Sequence, residues 1–259
     1  MIKLSGCLEM LFGEEEHFVD RIPAAAHAGL DAFEFWGYSS KDLPAVAAAA
    51  QKAKLPLAGM VLESSVGMLD LHRADEWAAD AEKAFAAAQS VNCSTLICTT
   101  GWGDQSNLDR GWGHASIVGC LRTAAPLAEA AGITLVLEPL NILVDHPGYF
   151  LVSSLEGFAI VEEVNSPAVK LLYDIYHQQV SEGNLIANIT SHIDQIGHFH
   201  AADVPGRMEP GLGEINWANV LNAINESGYD KYVGLEYKPS VPTPESLKYV
   251  KSLRDAINR

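Results

Sequence analysis

The stretch Ala131-Gly132-Ile133-Thr134-Leu135-Val136-Leu137-Glu138-Pro139 carries the decisive pattern for the fold. Its centre is apolar at successive positions instead of alternate ones, as expected of a parallel strand covered on both faces. A glycine leads into it from an alanine-rich helical segment, and an acidic side chain closes it. Runs of this kind recur along the chain at 2–9, 32–36, 57–63, 94–100, 134–139, 169–174, 196–203 and 232–239. Eight parallel strands are the number that closes a barrel.

Helix-forming segments such as 78–88 and 117–131 lie between the runs and are long enough for crossover connections. Ala28-Gly29-Leu30, Ala131-Gly132-Ile133 and Ser227-Gly228-Tyr229 have the glycine that ends a helix and turns the chain into the next strand. No linker, low-complexity tract or sequence repeat interrupts this alternation. The chain therefore reads as an α/β protein, a single (β/α)8 TIM barrel with residues 1–259 as one domain. A doubly wound open sheet alternates too, but the first turn here, Met10-Leu11-Phe12-Gly13-Glu14-Glu15-Glu16, suits no phosphate.

Composition narrows the functional classes. The chain is 48% hydrophobic and 19% charged, enough apolar surface for a substantial core. Its 17 basic and 33 acidic residues give a net charge of -16, which repels nucleic-acid phosphates and anionic membranes. A small anionic substrate is still admitted, since one cation and one arginine act locally within a Debye length of about 8 Å. Cys7, Cys93, Cys98 and Cys120 form no CxxC pair and no disulfide framework, so reduced thiols and a cytoplasmic location are expected. No export signal or membrane span is evident.

Acidic residues at the ends of apolar runs stand out, because a strand interior is a costly place for a charge. Glu138 closes the fifth run, Asp174 the sixth and Glu236 the eighth, and His200 lies in the seventh. In a barrel these neighbouring ends converge at one mouth. Three carboxylates and an imidazole make a hard, oxygen-rich site for one divalent ion, Mg2+ or Mn2+, with Co2+, Ni2+ or Zn2+ admitted through the nitrogen. His177, three residues after Asp174, points to the same mouth as a substrate contact, with a capping or packing role as the competing reading. His198 shares the interior face with His200 and reads as a packed histidine. Arg207 offers a planar fork for a carboxylate, against an ordinary pairing with Glu209 or Glu214. Trp102 and Trp112 flank the loop after the fourth run, where pocket and packing roles are equally served.

Several segments resemble the hydroxypyruvate isomerase family of the xylose-isomerase-like (sugar isomerase/epimerase) TIM barrels, and the likeness spans nearly the whole chain. They are Leu137-Glu138-Pro139-Leu140-Asn141, Pro147-Gly148-Tyr149-Phe150-Leu151, Tyr173-Asp174-Ile175-Tyr176-His177, Ala202-Asp203-Val204-Pro205-Gly206-Arg207, Gly213-Glu214-Ile215-Asn216 and Glu236-Tyr237-Lys238-Pro239. The resemblance implies that Glu138, Asp174, His200 and Glu236 bind the metal, and that Glu138 and Glu236 also move the proton. It further implies substrate contacts from His177, Arg207 and Glu63. Two departures are visible. Histidine at 200 is similar to the ketose 3-epimerase branch, where hydroxypyruvate isomerases carry glutamine. The arginine usual two residues after Asn141 is replaced within Ile142-Leu143-Val144.

The expected activity is a metal-dependent isomerisation of a small 2-hydroxy carbonyl compound, in carbohydrate metabolism. The cation stabilises the enediolate and two glutamates act as acid and base. Ketose 3-epimerisation is the alternative. A metal-dependent endonuclease and a non-catalytic barrel subunit are more remote. The expected partners are a sugar or oxo-acid substrate, neither nucleic acid nor membrane, with a homo-oligomer compatible.

Overall fold

In the computed structural model, which describes residues 1–259, eight parallel strands close into one barrel in sequence order. The first half runs β1 (Lys3–Cys7), α1 (Phe18–His27), β2 (Ala32–Phe35), α2 (Leu43–Ala53), β3 (Leu57–Val61), α3 (Ala74–Ser90), β4 (Thr95–Cys98) and α4 (Arg110–Ala131). The second half runs β5 (Thr134–Leu137), α5 (Ser154–Val164), β6 (Val169–Asp174), α6 (Ile175–Ser181), α7 (Leu185–Ser191), β7 (Ile196–Ala201), α8 (Trp217–Glu226), β8 (Tyr232–Leu235), α9 (Thr243–Ser246) and α10 (Lys248–Ile257). All eight expected strands are present, seven of them shorter than their apolar runs, which continue into the loops, while β6 spans its run in full. No helix is long and apolar enough to cross a membrane.

Local chemistry sets the boundaries. Gly29, Gly132 and Gly228 adopt φ of +79°, +68° and +82°, which ends α1, α4 and α8 at little steric cost. At the other end Asp42, Asp109 and Ser153 accept backbone N–H groups of α2, α4 and α5, removing orphan donors. The alanines of α3 pack flush, with Ala81, Ala84 and Ala88 fully buried.

The core has two regions. A large one lies between the outer faces of the strands and the helix shell and includes Phe33, Phe35, Leu96, Leu135 and Leu171. A small one, Ile97, Val136 and Leu172, fills the barrel interior with Val61 against it. Toward the C-terminal strand ends the interior becomes polar, with buried Ser5, Glu34, His198 and His200. The register places Asp174 of β6 beside His200, and His200 beside Gly234 of β8.

Gly234 makes room for that polar layer. A Cβ there would press on the Glu34 carboxylate and lie 2.8 Å from His200 Cδ2. Overpacking of this kind costs about 1–3 kcal/mol. Gly234→Ala is expected to lower the urea midpoint accordingly, and an unchanged midpoint would show that the layer has slack.

Candidate metal centre at the barrel mouth

Glu138, Asp174, His200 and Glu236 converge. Each offers one ligand atom, all lie within 4.8 Å of one another, and all four residues are buried. The strand ladders hold the two glutamates: Glu138 N–H donates to Cys98 O at 2.9 Å, and Glu236 N–H to Ala201 O at 3.2 Å. Asp174 divides its oxygens between two tasks. Oδ1 accepts from the N–H groups of Tyr176 and His177 at 2.7 and 3.1 Å, capping α6, which leaves Oδ2 for the cluster.

His200 is oriented from below by Glu34, a residue the sequence reading had not singled out. Its Nε2–H donates to Glu34 Oε2 at 2.9 Å, so the proton sits on that nitrogen. Nδ1 then faces the cluster, 3.5 Å from Glu138 Oε1 and 3.6 Å from Glu236 Oε2, and this buried atom has no hydrogen-bond partner. Glu34 also accepts from the Ser5 hydroxyl and has His198 Nε2 3.1 Å from Oε1. Burial opposes its charge, yet the two imidazoles hold its carboxyl far below the usual carboxylate range. His198, the packed histidine of the sequence reading, is thus a partner of Glu34.

The charges are poorly balanced by protein alone. At 4.8 Å two carboxylates repel by about 3–4 kcal/mol at an effective dielectric near 20. Arg207 is the basic side chain that reaches the group, pairing with Glu236 and lying 3.8 Å from Asp145. The sequence alternative of a pairing with Glu209 or Glu214 is not what forms: Glu209 accepts from Ser240, and Glu214 from Gln179. Burial pushes Asp174 up, against the pull of Arg207 and His200. Burial also opposes ionisation of Glu236, but His200, Arg207 and a hydrogen bond from Trp36 lower it. Burial disfavours an imidazolium at His200, and the carboxylates of Glu236, Glu34 and Glu138 outweigh it and raise its pKa. Three carboxylates facing an orphaned imidazole nitrogen fit a divalent cation through oxygen and nitrogen donors.

The remaining expected residues divide. His177 lies at the site with Nε2 3.6 Å from Asp174 Oδ2. Its Nδ1 accepts from Asn141 N–H at 3.2 Å, so Nε2 carries the proton and is a donor toward the mouth. Burial lowers its pKa to about 4, which keeps it neutral near pH 7. Arg207 sits in the left-handed region at φ +54°, a sparsely populated conformation for a side chain of its size. Buried Asp203 braces that loop, accepting from the N–H groups of Gly211 and Ile215 and from the Trp217 indole at 2.7, 3.3 and 2.9 Å.

Glu63 does not join the cluster. Its Oε2 accepts from Tyr38 and Ser39 N–H at 2.9 and 2.7 Å, and its Oε1 from the Ser39 hydroxyl at 2.9 Å. These bonds clamp the loop after β2. Trp36, on that loop, was missed: its indole Nε1–H donates to Glu236 Oε1 at 2.7 Å. Asp145 was missed as well. It accepts from Tyr176 Oη at 2.6 Å and Asn141 Nδ2 at 2.8 Å, tying the loop after β5 to α6. Trp102 is 83% exposed, and Trp112 lies against His72.

Comparison with known proteins agrees with this architecture. The family model for the xylose isomerase-like TIM barrel matches residues 22–254. Hydroxypyruvate isomerase of Escherichia coli K12 is 32% identical, covering 98% of this chain and all of that protein. A 2-oxo-tetronate isomerase of Cupriavidus necator is 37% identical over 56% of each chain. Among solved structures, a Brucella melitensis protein described as an AP endonuclease, family 2, superposes with a TM-score of 0.91 at 28% identity, covering 97% of this chain and 99% of that one. Full-length kinship with an isomerase makes the chain an enzyme of the isomerase and epimerase class. A closed eight-stranded barrel, the matching family model and the full-length relative together show that it belongs to the xylose isomerase-like TIM barrel family.

Proposed function

We propose that the chain, acting as one domain, is a divalent-metal-dependent isomerase of a small 2-hydroxy carbonyl compound, with Glu138, Asp174, His200 and Glu236 holding the ion. The observation that carries this reading is the buried, unpartnered Nδ1 of His200 aimed between Glu138 and Glu236. Mg2+ or Mn2+ suits the predominance of carboxylate donors. When bound, such an ion supplies a Lewis acid that polarises the substrate carbonyl.

The chain's own side chains then move the proton. One of Glu138 and Glu236 takes it from carbon, and the other returns it. Return to the neighbouring carbon interconverts aldose-type and ketose-type carbonyls, and return to the opposite face of the same carbon inverts it. His177 offers its Nε2–H to a substrate oxygen, and Arg207 keeps Glu236 ionised and lines the cleft.

One observation favours ketose epimerisation as a second reading. Arg207 Nη2 is bonded to Glu236 and its Nη1 lies 3.8 Å from Asp145, and Ile142-Leu143-Val144 supplies no second guanidinium. One arm of the fork is thereby taken from a substrate carboxylate, while hydroxyl groups need no fork. An endonuclease reading, suggested by the description of the Brucella relative, is opposed by the net charge of -16. Salt-dependent DNA binding in the micromolar range or tighter would restore it. The four free, buried cysteines accord with a reducing, cytoplasmic setting.

A screen for solvent deuterium uptake in D2O with Mg2+ or Mn2+, across hydroxypyruvate, 2-oxo acids and tetrose to hexose ketoses, is expected to label carbon beside a carbonyl. The substrate labelled names the class. Glu236→Gln should abolish turnover with the circular dichroism spectrum unchanged, and appreciable residual activity would remove Glu236 from the proton transfer. Chelation should abolish activity, and Mn2+ at about 100 times its Kd should stabilise the fold by about 2.7 kcal/mol, a rise in Tm of roughly 5–10 °C. Glu34→Gln should weaken ion binding about 10–100-fold by loosening His200, as read by titration calorimetry. Equal affinity would show that the strand alone orients the imidazole.

A further inference from the structure

Trp36 is anomalous for its surroundings. It follows directly on β2, its indole N–H lies on a buried carboxylate of the cluster, and yet the residue is 42% exposed. Of the five tryptophans, it is the one whose indole is bonded to a member of the metal cluster, whereas the Trp217 indole is bonded to Asp203. Large aromatic side chains are usually buried or paired through the polar edge, and this one keeps only its polar edge engaged.

Two acidic side chains from the flanking loops hold the Trp36 segment. Glu9, after β1, accepts from Trp36 N–H at 3.0 Å through Oε2, and its Oε1 pairs with Lys41 at 2.7 Å. Glu63, after β3, clamps Tyr38 and Ser39 on the other side. Between them Gly37 leaves room for the Glu63 carboxylate, since a Cβ there would lie 2.6 Å from Glu63 Oε1. A segment fixed at both ends by carboxylates presents one ring in a defined place.

That ring acts on a group with a proposed chemical role. Glu236 Oε1 accepts from Trp36, and Oε2 accepts from Arg207 while facing His200 Nδ1 across 3.6 Å. The carboxylate is thus held by one donor on each oxygen, which fixes the direction of its lone pairs. Removing the indole donor frees Oε1 to rotate and leaves a buried acceptor without its partner.

We propose that Trp36 is a positioning residue for Glu236 and, with its exposed ring, the apolar wall of the substrate cleft at the barrel mouth. This inference rests on Glu236 being a metal ligand that carries the proton. The wall would take the C–H face of the substrate carbon chain, while Glu236 works at the edge of the ring. Glu63, expected to contact substrate, acts on this view through the Trp36 loop.

The test uses the intact protein with Trp36→Phe, which keeps a ring and removes the N–H, and Trp36→Leu, which removes the ring. Free Mn2+ is followed by electron paramagnetic resonance, tryptophan emission by fluorescence, and proton exchange by deuterium uptake from the substrate found in the screen. In the wild type, Mn2+ should quench tryptophan emission, and Trp36→Phe should lose most of that quench at an unchanged urea midpoint. Its kcat for exchange should fall roughly 10–100-fold, as expected for loss of a hydrogen bond to a charged group, with KM kept within about twofold. Trp36→Leu should raise KM as well. Wild-type exchange and Mn2+ affinity in Trp36→Phe would overturn the positioning role and leave the proposed function standing. A wild type that neither binds Mn2+ nor exchanges any substrate would overturn both.

Discussion

Like charges brought together out of water set the terms for the whole mouth of this barrel. Glu138, Asp174 and Glu236 lie with their ligand oxygens inside 4.8 Å, and each pair contributes several kcal/mol of repulsion. The closed sheet places them there because inward-facing residues at the C-terminal ends of β5, β6 and β8 converge on one mouth. The surrounding structure answers the repulsion piecemeal: a helix cap takes one oxygen of Asp174, and an indole and a guanidinium take those of Glu236. Each measure reduces the charge density without neutralising it, and a multivalent cation is the group whose charge matches the remainder.

Beneath this layer Glu34 decides what His200 can do. An imidazole among carboxylates has two ways to help, as a protonated cation or as a neutral ligand. The carboxylate at Nε2 fixes the first nitrogen as a donor and leaves the second facing the cluster. His198 and Ser5 share the same carboxylate, so Glu34 is held by contacts from both β1 and β7. Gly234 and the interior polar layer are two sides of one arrangement, a missing side chain on β8 where two polar ones from β2 and β7 meet.

The strand count and the convergence of Glu138, Asp174, His200 and Glu236 were legible in the sequence because both leave a mark at a boundary. Apolar runs end, and an acidic side chain at the end costs enough to need a reason. Glu63 carries the same mark but lies outside the cluster, since a strand-end carboxylate can equally well receive the backbone N–H groups of the next loop, as it does at Tyr38 and Ser39. Glu34 carried the opposite signal. Set between Phe33 and Phe35, it reads as the polar face of an alternating strand, and only closure of the barrel turns that face inward to His198 and His200. Trp36 and Asp145 were hidden for a different reason: their partners, Glu236 and Tyr176, are 200 and 31 residues away.

The same long-range pairing bears on what the cleft can hold. A free guanidinium beside a metal site invites a carboxylate or phosphate, and the sequence segment around Arg207 suggests one. In the folded protein that fork faces Glu236 and Asp145, while the Tyr176 ring lies 5.3 Å from its central carbon. Selectivity for an anionic end group would require these carboxylates to release it, at the expense of exposing Glu236 to its own neighbours. A substrate that brings only carbonyl and hydroxyl oxygens makes no such demand. Electrostatic occupancy of Arg207, more than the shape of the barrel, is therefore what supports the ketose-epimerase reading among those proposed.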